Sequence, residues 1–371
     1  MNKGLLYKEL EEWYEVNHRI LPWRETEDPY KIWISEIVLQ QTRVAQGMEY
    51  YHRLVTRFPD IQSLAKAEED EVLLYWQGLG YYSRARNMHK AAQLMKDHEI
   101  FHQAMRLLGD KARGKEIFAA LKSMPGVGDY TAGAIASFAF DLPYPALDGN
   151  VYRVLSRLYD CEIAFDTTQG KKHFRKLAED LLDREQPRLF NSAIMELGAL
   201  VCLPTKPMCD ECPLRTWCKA LTNNTVELLP VRKPRAKVRD RYLQYTIYIS
   251  PENKTLIHQR KENDIWKHLW EFVETTSVDS VKNDNIDNLR GNQLPAALQR
   301  NTSELLNPYK VIELTHVLSH QKLHARFVIK NVSELPNIPD TLVVNLSELD
   351  NYAFSRLTLN AIEKLLLEFT N

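Results

Sequence analysis

Residues Leu121–Ala134 read Leu-Lys-Ser-Met-Pro-Gly-Val-Gly-Asp-Tyr-Thr-Ala-Gly-Ala. A helix is expected to end before Pro125, a Pro-Gly-x-Gly turn follows, and a helix of small residues begins at Tyr130. Gly126 and Gly128 let backbone amides come close to an anion, and the N-terminus of the following helix favours negative charge there. The pattern fits a helix-hairpin-helix that grips the DNA backbone without reading sequence. Read as G-x-G alone, the stretch is equally an ordinary tight turn. Pro125 ahead and Thr131-Ala-Gly-Ala behind separate the two readings.

Outward from this turn, residues 1 to about 220 read as helix after helix. Asp28-Pro29 is a helix start, with Asp as N-cap and Pro at the first helical position, and the helix is expected to run unbroken to Phe58. Further helices are expected at Glu69–Trp76, Ser83–Asp97, Gly114–Lys122, Tyr130–Phe140, Val151–Leu158, Thr168–Leu182 and Pro187–Val201. After Pro230 the pattern changes. YLQYTIYI from Tyr242, TLIHQR, HARFVIKNV and TLVVNL read as strands, and Phe354–Phe369 as a closing helix. The chain is thus mainly α, then α+β. Between the parts, Arg232–Arg241 (RKPRAKVRDR) carries six basic residues and one acid. It reads either as a solvated linker or as a tether beside phosphates.

The 371 residues carry a formal net charge of −1, which by itself does not favour a polyanionic partner; local charge decides binding. The absence of an apolar run of 18 residues gives no expectation of a membrane-spanning helix or a membrane partner. The N-terminus, MNKGLLYKELEEWYEV, lacks the apolar core of a secretory signal. Four of the five cysteines fall between Cys202 and Cys218, spaced C-x6-C-x2-C-x5-C as Cys202, Cys209, Cys212 and Cys218, while Cys161 stands alone. Such clustering speaks for metal in a reducing compartment, a bacterial cytoplasm, and not for disulfides. Four thiolates suit a [4Fe–4S] cluster or zinc; a single C-x2-C knuckle favours the cluster.

Two carboxylates stand out. Glu36 lies within IWISEIVLQQT among Ile32, Trp33, Ile37 and Leu39, and its burial would raise its pKa as a general acid requires. Asp148 follows PYPAL and precedes a helix whose N-terminus favours its ionised form. Opposed pKa pressures on two carboxylates match the cleavage of a glycosidic bond; the alternatives are a surface glutamate and a plain N-cap. Gly78-Leu-Gly-Tyr-Tyr-Ser-Arg-Ala-Arg86 reads either as a wedge entering a base stack with arginines on phosphates, or as a capping loop with core tyrosines.

Taken together, LPWR (Leu21–Arg24), WISEIVLQQTRV (Trp33–Val44), GLGYYSRAR, PGVGDYTAGAI, LDGNVYRVLSR (Leu147–Arg157), MELGALVC and the four-cysteine loop resemble the MutY-type adenine DNA glycosylases of the helix-hairpin-helix superfamily, over nearly the whole chain. The resemblance implies a mainly α catalytic region at 1–220, with a six-helix barrel at roughly 25–136. The N-terminus with 137–220 would form a lobe bearing a [4Fe–4S] cluster. A basic linker at 221–241 and an α+β, Nudix-like 8-oxoguanine recognition domain at 242–371 would follow. It implies a monofunctional enzyme, a monomer in a bacterial cytoplasm and nucleoid, whose partner is double-stranded DNA carrying adenine opposite 8-oxoguanine or guanine.

By resemblance, Glu36 protonates the flipped adenine, Asp148 stabilises the sugar cation, and Tyr130 and Asn150 orient Asp148 and the deoxyribose or its phosphate. Trp23, Arg24, Leu39, Val44 and Ser192 form the adenine pocket, with Ser192 where a longer Gln or Glu is usual. Gln41, Thr42, Leu79 and Tyr81 probe and wedge the opposite strand around the lesion, and Gly126 and Gly128 hold the DNA backbone. Leu269-Trp-Glu-Phe272 is similar to a signature of the Nudix-like domain, but no hydrolase box follows. Leu318-Ser319-His320 stands where Phe-Ser-His is usual in the loop for 8-oxoguanine. An endonuclease III-like lyase would carry a lysine where this chain has Tyr130.

Overall fold

The computed structural model describes residues 2–95, 113–234, 238–261, 264–277 and 310–369. Residues 96–97 of the expected Ser83–Asp97 helix and 235–237 of the basic segment lie outside them. The chain divides into two compact units. The first is Met1–Ala67 with Ser83–Pro234, and the second is Glu68–Tyr82 with Arg235–Asn371. No helix among the described residues is long and apolar enough to cross a membrane.

The first unit is helical. Its central element is the Pro29–Leu39 helix, opened by Asp28, whose carboxylate accepts the Tyr30 N–H at 2.9 Å. Every residue from Pro29 to Val38 except Lys31 is buried, Glu36 included, so this helix is enclosed rather than amphipathic. It packs against Val44–Arg57 and against the small-residue helix Asp129–Phe140. The sequence expectation of one helix to Phe58 is corrected here. The helix stops at Leu39, a turn spans Gln40–Arg43 with Gln41 at φ +56°, and a second helix begins at Val44. The break has a tertiary cause. The buried Arg84 guanidinium donates to the carbonyls of Ile37 (3.0 Å), Val38 (2.9 Å) and Gln40, and to Thr42 Oγ1 (3.3 Å), satisfying carbonyls that the next turn of helix would otherwise have taken.

A second core in this unit joins Leu6 and Leu10 of the Lys3–Asn17 helix to Val154, Leu155 and Leu158 of Gly149–Tyr159. Phe174 of Thr168–Leu181 and Ile194 and Leu197 of Pro187–Leu200 complete it, with Leu214 of the cysteine segment beneath.

The second unit is a six-stranded sheet, order β4-β5-β1-β3-β2-β6. Its strands are β1 Arg239–Ile249, β2 Lys254–Gln259, β3 Trp270–Ser277, β4 Lys310–Val317, β5 Gln321–Asn331 and β6 Thr341–Asn345. Only β1–β5 is parallel; the other pairs are antiparallel. Alternation puts Leu243, Tyr245 and Ile247 opposite Ala325, Phe327 and Ile329 on one face. Leu357, Ala361 and Leu365 of the closing Arg356–Phe369 helix pack into the same core. The architecture is mainly α followed by α+β, as expected.

Candidate active site

One cavity of about 1140 Å³ opens in the helical unit. Its walls include Glu36, Tyr130, Asp148 and Asn150; Trp23, Arg24, Leu39, Val44 and Ser192; and, from the Gln40–Arg43 turn, Gln41 and Thr42. These residues come from stretches up to about 170 positions apart in sequence and meet in one place.

Glu36 is 5% exposed and stands one turn before the C-terminus of its helix. Burial pushes its carboxyl up to about 7, and the charge of Asp148 adds to this, while the Tyr130 hydroxyl and the Arg24 guanidinium pull the other way. The Tyr130 hydroxyl donates to Glu36 Oε2 at 2.8 Å. Tyr130 thus bonds to the acid, and Asp148 acts on it through its charge. Its phenol is held well above the usual range by burial and by both carboxylates, so it remains a donor.

Asp148 caps the Gly149–Tyr159 helix, with Oδ1 accepting the Val151 N–H at 2.7 Å and Oδ2 accepting from Asn150 Nδ2 at 2.7 Å. The N-cap reading and the site reading are therefore both geometrically satisfied. The expected depression of its pKa is not what the structure gives: burial raises it, and the hydrogen bonds from Val151 and Asn150 only oppose that rise. Asn150 Oδ1 in turn accepts from Arg153 Nη2 at 2.9 Å, and Arg153 also donates to the Gly198 carbonyl (2.7 Å) and the Cys202 carbonyl (2.6 Å). A Cβ on Gly198 would lie 2.7 Å from Asn150 Cβ, so the two helices reach this spacing only with glycine there.

Sequence reasoning missed Glu196, fully buried in the cavity wall. It accepts from Arg19 Nε (2.6 Å) and Nη2 (2.9 Å) and pairs with Arg24 Nη1 at 3.2 Å. Burial alone would raise its pKa, but Arg19 and Arg24 hold it below the ordinary range. The signal available was MELGALVC, where an acid follows apolar residues at helical spacing.

Gly126, at φ +79°, makes the turn before the Asp129–Phe140 helix; a Cβ there would also meet Asn87 Cβ at 2.9 Å. Gly128 is that helix's N-cap, with open space where a Cβ would stand. Neither lines the cavity. Leu79 and Tyr81 belong to the second unit: Leu79 is buried, whereas Tyr81 is half exposed at φ +47°. Arg84 departs from the phosphate-holding reading of its loop, being buried among backbone carbonyls. Leu318–His320 forms the turn between β4 and β5, closed by Leu318 N–H to the Gln321 carbonyl at 2.7 Å. Ser319 and His320 are exposed there, while Leu318 is half-buried against the sheet core. Glu271 of the Leu269–Phe272 signature is buried against Arg260 at 2.8 Å and is a structural ion pair.

The four clustered cysteines are all free thiols. Among the described residues no three His, Cys, Asp or Glu side chains are drawn together tightly enough to hold an ion. The thiols nonetheless act on one another. Cys212 is pushed up to about 12, by burial first and then by Cys202, Cys218 and Cys209. The Arg157 guanidinium donates to Cys202 Sγ at 3.4 Å and to the Leu203 carbonyl at 2.7 Å. Four soft thiols, of which Cys209, Cys212 and Cys218 are pushed up by burial and by neighbouring thiols, with a buried guanidinium beside them, form a donor set that fits an iron–sulfur cluster.

Residues 34–183 match the family described as HhH-GPD superfamily base excision DNA repair protein, and residues 244–364 match the NUDIX domain. The chain is 31% identical over 357 residues to the adenine DNA glycosylase of Buchnera aphidicola subsp. Baizongia pistaciae, covering 94% of this chain and 93% of that one. It is 41% identical over 216 residues to the adenine DNA glycosylase of Homo sapiens, covering 56% of this chain and 38% of that one. Among solved structures, a thermostable thymine-DNA glycosylase superimposes with a TM-score of 0.51 at 24% identity, over 60% of this chain and 97% of that one, which speaks to the fold of the helical region.

Proposed function

The chain belongs to the adenine DNA glycosylase family, and we propose that it removes adenine from double-stranded DNA in which adenine faces 8-oxoguanine or guanine. The observation that carries this reading is the pairing of a buried and a half-buried carboxylate in one cavity, one with a proton affinity near neutrality and the other braced by a backbone N–H and an amide.

Glu36 is the general acid. With its pKa at about 7 it holds a proton in a large fraction of molecules at neutral pH, and it gives that proton to a ring nitrogen of the extruded adenine. The base then leaves neutral. The Tyr130 hydroxyl fixes which Glu36 oxygen is free to face the base. Asp148, held by Val151 and Asn150, sets a negative charge against the oxocarbenium ion that forms at the sugar. Tyr130 occupies the position from which a lysine would form a Schiff base, and no lysine is found among the described cavity walls, which supports release of the base without efficient strand cleavage.

Ser319 and His320, exposed on the β4–β5 turn, are the groups offered to 8-oxoguanine. Cys202, Cys209, Cys212 and Cys218 would hold a [4Fe–4S] cluster whose contribution is to shape the cysteine loop for the DNA backbone. The protein acts as a monomer in a bacterial cytoplasm. Single-turnover base release tests the reading on duplexes bearing adenine opposite 8-oxoguanine, adenine opposite guanine and thymine opposite guanine. Adenine is expected from the first two. Release of thymine from the third in preference to adenine would overturn the assignment.

A further inference from the structure

Glu196 is a fully buried carboxylate in the cavity wall that plays no part in the chemistry proposed above. It stands on the Pro187–Leu200 helix, and its partners come from residues 18–28, the loop between the Lys3–Asn17 and Pro29–Leu39 helices. Oε1 accepts from the Arg19 backbone N–H (3.0 Å) and Nε (2.6 Å), Oε2 accepts from Arg19 Nη2 (2.9 Å), and Arg24 Nη1 stands 3.2 Å from Oε2. A turn closed by the Arg24 N–H on the Leu21 carbonyl (2.8 Å) brings both arginines to the one carboxylate. A carboxylate offers about four acceptor sites, and these four donors occupy them, so Glu196 acts on a bound base only through its arginines. Taking two charges out of water costs about as much as their attraction returns, so stability alone does not account for the pair.

Arg24 is the link to the acid. It lines the same cavity as Glu36, Tyr130 and Asp148, its Nη1 also donates to the Tyr14 hydroxyl at 3.2 Å, and its charge opposes the effect of burial on Glu36. The other groups that act on the Glu36 carboxyl are Tyr130, in the first turn of Asp129–Phe140, and Asp148, at the cap of Gly149–Tyr159. None comes from Val44–Arg57, which packs on the same helix, and Arg84 binds carbonyls at that helix's end. Glu27, Asp141, Glu185 and Arg188 line the cavity but are not among the groups that shift Glu36. Arg24 is therefore the cation in the set, and Glu196 is the carboxylate paired with it.

We infer that Glu196 is a positioning residue for the reaction: its carboxylate fixes the Arg24 guanidinium in the cavity wall and offsets its charge, so that Glu36 is still protonated when the base arrives. The role of Glu36 as the acid rests on the function proposed above; the effect of Glu196 on the Glu36 carboxyl does not. Without the Glu196 charge, Arg24 would stand unneutralised beside an acid that must carry a proton, and a positive charge favours the ionised carboxylate. The base would then meet fewer molecules with a proton to give.

Glu196→Gln in the full chain keeps the side chain's shape and removes its charge. Two measurements are made against wild type. The first is the pH dependence of single-turnover adenine release from a duplex with adenine opposite 8-oxoguanine. The second, without DNA, is the titration of the Glu36 carboxyl by carbon NMR of glutamate-labelled protein, with Glu36→Gln identifying the signal. The titration and the alkaline limb of the rate profile should move down together by roughly half to one pH unit, so that the variant loses about threefold to tenfold against wild type between pH 5 and pH 8. Glu196→Asp, which keeps the charge, should leave both at their wild-type positions. Arg24→Gln should move both upward, and adding Glu196→Gln to it should move them no further. A titration and limb unmoved by Glu196→Gln, with rate lost equally at every pH, would overturn the inference, as would the same downward displacement in the Arg24→Gln background. Should Glu196→Gln not fold, Arg24→Gln decides, and no upward displacement there overturns the inference as well. A wild type that releases no adenine sinks the substrate reading, while the titration still decides the role of Glu196.

Discussion

Glu36→Gln separates the two consequences of burying an acid. Gln keeps the length of the side chain and an oxygen able to accept from the Tyr130 hydroxyl, but it has no proton to give at neutral pH. The reaction should slow by the factor ordinarily lost with a general acid, about 10² to 10⁴. Stability should move the other way. Burial raises the Glu36 pKa from 4.5 to about 7, so the folded chain holds a proton that the unfolded chain has released between those two values. Wild-type stability therefore falls as pH rises through this window, and the loss is complete above about pH 7. At 1.36 kcal/mol per pH unit, the ionised carboxylate costs the fold about 3 kcal/mol. Gln carries no such cost. Glu36→Gln should thus melt several degrees higher than wild type at pH 8, by roughly 2–4 °C per kcal/mol in a unit of this size, and the gap should close toward pH 5. Single-turnover adenine release and thermal melts from pH 5 to 9 test both halves. Wild-type release should fall tenfold per pH unit above about pH 7. Retention of more than about a tenth of the wild-type rate, or a melting gap that does not change with pH, would refute the assignment of Glu36 as a desolvated acid.

Three further outcomes are expected. Borohydride should trap little covalent product with wild type, and Tyr130→Lys should raise trapping by placing an amine in the cavity; efficient trapping by wild type would mean another amine serves. Purified protein should contain iron and absorb broadly near ~400 nm, and Cys209→Ser should lower both iron content and DNA binding; stoichiometric zinc without iron would count against the cluster. Ser319→Ala with His320→Ala should narrow the preference for adenine opposite 8-oxoguanine by the ~1–3 kcal/mol that a lost polar partner represents, with slow excision retained, whereas an unchanged rate ratio would leave these residues as a mere turn.

What the sequence disclosed were the features encoded locally. Asp28-Pro29 announces a helix start, and Asp28 caps it; Pro125–Gly128 announces a turn, and Gly126 takes the positive φ that the turn needs. The alternation in Tyr242–Ile249 announces β1, and Leu243, Tyr245, Ile247 and Ile249 enter the core. Features set by distant parts of the chain stayed hidden. Nothing between Leu39 and Val44 is a glycine or proline, and the apolar period continues across it; the helix breaks there because Arg84, about 45 residues later, takes its carbonyls. Strand β3 was read only as a signature because buried Glu271 interrupts its apolar pattern, and it is Arg260 on another segment that makes that burial tolerable. Asp148 was judged by its helix N-terminus alone, whereas desolvation in the folded cavity sets the direction of its shift.

Three of the buried arginines, Arg84, Arg153 and Arg157, share one structural role. A functional turn that follows a helix leaves up to four carbonyls without intrahelical partners, and a glycine cap would satisfy only some of them. Arg84 does this for the helix carrying Glu36, leaving the Gln40–Arg43 turn free to line the cavity. Arg153 does it for the end of Pro187–Leu200 while also bracing Asn150, and so links the partner of Asp148 to the start of the cysteine loop. Arg157 binds the carbonyls of Leu203, Pro204, Val226 and Leu229 and reaches the Cys202 thiol. A guanidinium suits this work because its fork presents several fixed donors and keeps its charge when buried, where a lysine would tend to lose it. The arrangement also gives the acid and the aspartate their different surroundings. Glu36 receives a single hydroxyl and a proton affinity near neutrality, while Asp148 receives two N–H donors behind which a fixed positive charge stands. Both carboxylates are raised by burial, so the division of labour between them follows from how many donors each is given and not from burial itself.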